Sequence, residues 1–216
     1  MKKQLCLTAD IGGTNTRVAL FDNEKLLESS CVTYSNNEYD SFETIIKNYL
    51  DLVSESTVKL AGIAAAGPIQ EKSAKMTNLS WSLTERSIAS ITGAEQVGII
   101  NDLQAQGYGL TSLDQADLEP ITIGSQSSNS NATKLVCGIG TGFNAAPVFN
   151  FGNKIFVPPS EAGHSQLSLT DKSYQSIFAK IGSVGSFVSV EDILSGRGLE
   201  SVGRALTGND ETAAQI

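Results

Sequence analysis

Cysteine is scarce in this chain: Cys6, Cys31 and Cys137 are all there is. The count is odd, the spacing is wide, and no Cys-x-x-Cys pair occurs, which excludes a disulfide scaffold. Histidine is scarcer still, with His164 alone. Without a Cys/His cluster a zinc site has no ligands to draw on. The three thiols fall in apolar, strand-like runs. They are expected to be buried structural groups in a reducing compartment, consistent with a cytoplasmic protein. A basic surplus is also missing. Fifteen Lys and Arg stand against 23 Asp and Glu, a net charge of −8. That excludes the electrostatic footprint of a nucleic-acid or anionic-membrane partner. No apolar run is long enough to span a bilayer. The start, Met1-Lys2-Lys3-Gln4, is positive, but the apolar run after it is interrupted at Asp10, so it does not read as a signal peptide. There is no G-x-x-x-x-G-K-[ST] loop, and no glycine fingerprint leading from a strand into a helix.

What is present is a pair of glycine turns. Residues 9–15 read Ala-Asp-Ile-Gly-Gly-Thr-Asn after an apolar run that begins at Leu5, and Arg17 to Phe21 resumes as a strand. Gly12 and Gly13 let backbone N–H groups approach a polyphosphate closely. Asp10 would face the same space and hold a metal-bound water. The second turn, Gly140-Thr141-Gly142, lies between the apolar run Leu135–Ile139 and the strand-like Phe143–Val148. Two strand–turn–strand hairpins of this kind can clamp a triphosphate from both sides.

The remaining pattern predicts an α/β protein of one or two domains, from 216 residues. Strands are expected over residues 5–9, 15–22, 26–34, 58–66, 97–101, 134–140, 143–149 and 154–157. Apolar residues at helical spacing predict a helix over 41–54. Further helices are expected over 84–92, with Thr84 as N-cap, and over 102–110, 171–181 and 197–206. The polar run 124–133 reads as an exposed connection. Glu211-Thr212-Ala213-Ala214 reads as the start of another helix.

Asp10-Ile11-Gly12-Gly13-Thr14-Asn15-Thr16-Arg17 and Gly138-Ile139-Gly140-Thr141-Gly142 resemble the two phosphate loops of the actin-like ATPase superfamily of sugar kinases. More closely, the chain is similar to the bacterial glucokinase family. Met76–Trp81, Ile99–Asp102, Glu161–His164 and Val190–Gly196 each match a family segment, in the family's order. Another group of bacterial sugar kinases carries a cysteine-rich zinc motif that this chain lacks.

The resemblance implies a two-domain actin-like ATPase (ribonuclease H-like) fold. Residues 1–110 would form the small domain, with the first phosphate loop and the catalytic Asp. Residues 111–216 would form part of the large domain. The family continues beyond this length, so the second domain is expected to be incomplete here, without its adenine-binding loop, and the chain alone to be inactive. The implied reaction is ATP-dependent phosphorylation of glucose at the 6-hydroxyl, with Mg²⁺ bridging the phosphates. A kinase for a related hexose or amino sugar, or a non-catalytic sugar-binding remnant, are the alternatives.

The resemblance makes Asp102 the general base. It sets Asn101, Asp102, Glu161, His164 and Glu191 around the sugar, and gives Asp10, Gly12, Gly13, Thr14, Asn15, Gly140, Thr141 and Gly142 to the nucleotide. It also implies a homodimer and closure of the domains over the sugar. Read by position alone, Asp102 is a helix N-cap and Glu191 an N-terminal helix charge. Ala162 and Asn144 stand where the family usually has glycine. Asn144 would crowd the phosphates if its position required a positive φ.

Overall fold

The computed structural model describes residues 4–54, 58–76, 79–121, 132–152, 154–168 and 187–216, with Tyr174, Ile177, Ala179 and Ile181 singly. By contacts, the chain divides into two compact units, Met1–Ala105 and Gln106–Ile216. The division falls five residues before the boundary expected from sequence.

The first unit is built on β1 (Leu5–Ile11) and β2 (Asn15–Asp22), an antiparallel hairpin across the first glycine turn. Leu5, Leu7, Ala9 and Ile11 all face inward, and the alternate positions do not, so a strand of period two buries one face. β5 (Leu60–Ala65) lies parallel to β1, and β9 (Gln96–Asn101) parallel to β5. Parallel neighbours need crossovers, and α1 (Phe42–Leu52) lies in the first of them. Its Phe42, Ile45, Ile46, Tyr49 and Leu50 are buried in the same cluster as the inward residues of β1 and β5. The Ser41 hydroxyl accepts the Thr44 N–H at 3.3 Å and so starts the helix. α2 (Glu85–Thr92) begins at Thr84 as expected, with Ser87 returning a hydrogen bond to the Thr84 N–H. Gly93, at φ 69°, ends it in the left-handed region.

Three local readings are corrected. The strand expected over 26–34 is two pieces, β3 (Lys25–Leu26) and β4 (Val32–Ser35), both pairing with β2. Between them Glu28–Ser30 makes a 3₁₀ turn. The buried Ser30 hydroxyl takes the Leu20 N–H at 2.8 Å and so replaces a ladder bond. The segment before α2 holds a meander missed by periodicity: β6 (Ile69–Gln70), β7 (Ser73–Lys75) and β8 (Ser82–Thr84). Strands this short carry almost no repeat to detect.

The thiols are the third correction. Cys31 and Cys137 are exposed and Cys6 is half-buried, because each occupies a position that points away from the core. Burial holds the Cys6 thiol above its ordinary range.

α3 (Asp102–Gly109) follows β9 directly. The second unit contains β10 (Lys134–Ile139), β11 (Phe143–Asn150) and β12 (Ile155–Phe156), an antiparallel set. Val136, Ala146 and Val148 are buried on these strands, as is Val157 just after β12. A Cβ at Gly107 would lie 2.9 Å from Val157, so the part of α3 that belongs to this unit packs closely on it. α4 (Glu191–Leu194) and α5 (Gly196–Thr207) follow. Most of the expected helix over 171–181 and of the polar run lies outside the described residues; within that helix span, Tyr174 and Ile177 are helical. At the end, Thr212–Gln215 forms a turn closed by the Gln215 side chain rather than a helix. Among the described residues, no helix is long and apolar enough to cross a membrane.

Candidate active site

Gly12, Gly13 and Thr14 connect β1 to β2, and the Gly12 N–H closes on the Asn15 carbonyl at 3.0 Å. Gly13, Thr14 and Asn15 are exposed. A Cβ at Gly12 would meet nothing nearer than the Asn15 carbonyl at 3.4 Å, and Gly12 has no positive φ. The fold therefore does not demand glycine there; what glycine provides is an uncovered backbone. A residue that sequence reasoning missed holds this turn. Asn36, buried, donates from its amide to the Gly12 carbonyl at 2.9 Å and accepts from the buried Thr16 hydroxyl at 2.7 Å. Its backbone N–H reaches the Thr14 carbonyl at 2.8 Å. Ser35-Asn36-Asn37 looks like any polar turn, so nothing in the sequence marks it.

Asp10 is exposed near the end of β1 and pairs with Arg17 at 3.3 Å, an exposed pair of small energetic weight. Two strands away, β9 runs into α3 at Asn101-Asp102. Asn101, not Asp102, is the cap here. Its side-chain oxygen accepts the Leu103 N–H at 3.0 Å, its amide reaches the Gly67 carbonyl at 3.4 Å, and Gln104 returns a bond to its N–H at 3.2 Å. Asp102 is the first residue of the helix and spends one oxygen on the same Leu103 N–H, at 2.8 Å. Burial raises the Asp102 carboxyl above its usual range. The Leu103 hydrogen bond opposes that, and the nearby Asp10 charge adds to it.

In the second unit the turn Gly140-Thr141-Gly142 is closed by the Gly140 N–H on the Gly142 carbonyl, 2.9 Å. Glu191, the first residue of α4, reaches it directly. Glu191 Oε2 accepts the Phe143 N–H at 3.0 Å, and Oε1 accepts from Arg197 Nη2 at 2.9 Å. A Cβ at Gly142 would lie 2.7 Å from Oε2, so the carboxylate fills the space that glycine leaves. Both Glu191 oxygens thus already have protein partners, and no motif along the chain marks either one.

Glu161 precedes a 3₁₀ turn, Ala162–His164, and His164 ends it, with Nδ1 and Oε2 3.9 Å apart and both side chains mostly exposed. Gly163 is buried, and a Cβ there would fall 2.0 Å from the Phe143 carbonyl. This segment is therefore pressed against the start of β11. Asn144 has no positive φ and does not crowd the turn. It lies in β11, donates to the Ser160 carbonyl at 2.6 Å and accepts the Ala162 N–H at 3.0 Å. The residue that departs from the family pattern ties the Glu161–His164 segment to the strand beside it.

Each unit therefore assembles its own share of the predicted residues. The first brings together Asp10, Gly12–Asn15, Asn101 and Asp102. The second brings together Gly140–Gly142, Glu161, His164 and Glu191. The family profile described as Glucokinase matches residues 7–216. The chain belongs to the glucokinase family.

It is 30% identical over 214 residues to the glucokinase of Psychromonas ingrahamii, covering 99% of this chain and 66% of that protein. It is 33% identical over 204 residues to the glucokinase of Yersinia enterocolitica, covering 94% of this chain and 62% of that protein. It thus spans just under two thirds of these relatives' lengths. A crystal structure of glucokinase from an Antarctic psychrotroph superposes with a TM-score of 0.81 at 27% identity, over 98% of this chain and 69% of that one. The fold is accordingly the mixed α/β actin-like ATPase fold of glucokinases.

Proposed function

We propose that the protein transfers the γ-phosphoryl group of ATP to the 6-hydroxyl of glucose. The observation that carries this is Asp102, a half-buried carboxylate with a raised pKa at a strand–helix junction, beside Asp10 and the exposed first glycine turn. A carboxylate whose pKa is raised takes a proton more readily than an ordinary one. Asp102 accepts the hydroxyl proton as the sugar oxygen bonds to the γ-phosphorus and the bond to the β–γ bridging oxygen breaks, releasing ADP. Phosphoryl transfer asks the protein for placement and charge stabilisation, which exposed turn N–H groups supply.

Asn101, Glu161, His164 and Glu191 are assigned to the sugar hydroxyls. Glu161 and His164 suit this, being polar, exposed and on a segment held by Asn144 and the packing at Gly163. Glu191 divides its role between the sugar and the turn it already touches. Gly12–Asn15 and Gly140–Gly142 are assigned to the nucleotide phosphates.

No cluster of three or more acidic, His or Cys side chains stands ready for a metal among the described residues. Asp10, exposed and an oxygen donor, fits Mg²⁺ that keeps its waters and arrives with the nucleotide. The ion would neutralise phosphate charge. Homodimerisation is the oligomeric state proposed.

The test is ADP release from Mg-ATP with a panel of hexoses and amino sugars, using the protein expressed from its natural gene. Glucose-dependent turnover supports the reading. Preference for another sugar would move the substrate, and glucose binding without turnover would leave a sugar-binding protein.

A further inference from the structure

Five backbone groups in and beside the second glycine turn are already engaged by the protein. The Gly140 carbonyl accepts the Gly196 N–H at 2.8 Å, and the Gly142 carbonyl accepts the Gly140 N–H at 2.9 Å. The Thr141 carbonyl accepts from Arg197 Nε at 3.4 Å, and the Phe143 N–H goes to Glu191. Among the described residues nothing accepts from the N–H groups of Thr141 and Gly142. A trans peptide sets its C=O and N–H on opposite sides. Holding the Gly140 carbonyl therefore aims the Thr141 N–H outward, and holding the Thr141 carbonyl aims the Gly142 N–H outward. The first is secured by backbone. The second rests on one side chain.

We propose that Arg197 is a positioning residue that orients the Gly142 N–H toward a bound phosphate, by holding the Thr141 carbonyl and by steadying Glu191 beneath the turn. This rests on the reading of residues 140–142 as a phosphate-binding turn.

Its location argues for a dedicated role. Arg197 sits in the first turn of α5, where the helix dipole disfavours a cation. The Glu191 carboxylate offsets that cost, at 2.9 Å. The guanidinium can serve Glu191 and Thr141 together because its donors form a planar fork, which a lysine ammonium cannot reproduce. The start of α5 is itself fixed, since the buried Ser195 hydroxyl accepts the Gly198 N–H at 3.0 Å. Gly142 belongs to the same device, because a side chain there would displace the Glu191 carboxylate.

The experiment compares Arg197→Met, Arg197→Lys and Gly142→Ala with the unaltered protein. KM for ATP and KM for glucose are measured, together with hydrogen exchange at the Phe143 and Gly142 amides. Arg197→Met is expected to raise KM for ATP about tenfold, the scale of one hydrogen bond to a charged group. KM for glucose should rise by less. Arg197→Lys should recover part of the loss. Gly142→Ala should show the same split, and combining it with Arg197→Met should give less than the sum of the two effects.

Unchanged kinetics, or a rise in KM for glucose equal to that for ATP, would overturn the proposal. Absence of turnover with every sugar would instead defeat the kinase reading. Hydrogen exchange then decides the proposal by itself: faster Phe143 exchange in Arg197→Met, restored in Arg197→Lys, supports it, and unaltered exchange refutes it.

Discussion

Burial, aided by the Asp10 charge, favours the neutral form of Asp102, the Leu103 N–H favours its anion, and burial prevails. A carboxyl raised on folding contributes stability below its unfolded pKa, and that contribution is lost as pH climbs through the folded value. Asp102→Asn keeps an oxygen for Leu103 and carries no charge. Its stability relative to the unaltered protein should therefore improve from acid to neutral pH, as thermal melts across that range would show. A constant or falling difference would contradict the raised pKa. Turnover in the same variant should drop by about 10²–10⁴, the usual worth of a general base. Turnover of the unaltered protein should fall as acid protonates Asp102.

Asn36 makes a second residue-scale case. Truncation to Ala strands the buried Thr16 hydroxyl and the Gly12 carbonyl, and should cost about 1–3 kcal/mol in denaturant unfolding. The acids and the lone histidine were visible in the sequence by chemical type. Asn36 and Arg197 were not, since an amide in a polar turn and a basic residue opening a helix match no motif.

At the scale of elements, the glycines separate into two kinds that look identical in one-letter code. Gly163 is sterically required, because a Cβ would press to 2.0 Å of the Phe143 backbone oxygen. Gly163→Ala should lower stability by about 1–3 kcal/mol, as overpacking does, and displace Glu161 and His164 with it. Gly12→Ala should leave the melting temperature nearly unchanged and weaken ATP binding instead. Paired melts and nucleotide titrations would distinguish the two; a large stability loss at Gly12 would show that the turn has no room for a Cβ.

Among the elements, α1, β1 and β2 were readable because each has enough length for its period to repeat, and α2 because Thr84 marks its start. The β6–β8 meander and the break at Glu28–Ser30 were not, since two or three residues hold no period and a serine replacing a ladder bond looks like any serine.

For the molecule as a whole, the proposed ligand, a polyanion, would have to bind a chain whose net charge is −8. Local backbone donors and a cation bound to the ligand have to overcome a repulsive overall field. Chelating Mg²⁺ should therefore weaken ATP binding by at least about tenfold in calorimetry at low salt, and added salt should narrow the gap. Equal affinity with and without the ion would place the compensating charge in the protein instead.

Residue type and order along the chain suffice for the family and the class of fold, and they mark the candidate acids and glycines. Tertiary structure alone decided that Asn101 rather than Asp102 is the principal cap, that Asn144 is a tie and not an obstruction, and that Glu191 is committed to the turn at both oxygens. The physical reason is that a hydrogen-bond partner is chosen by distance and direction in space. Glu191 and Phe143 lie 48 residues apart in the chain and 3.0 Å apart in the fold.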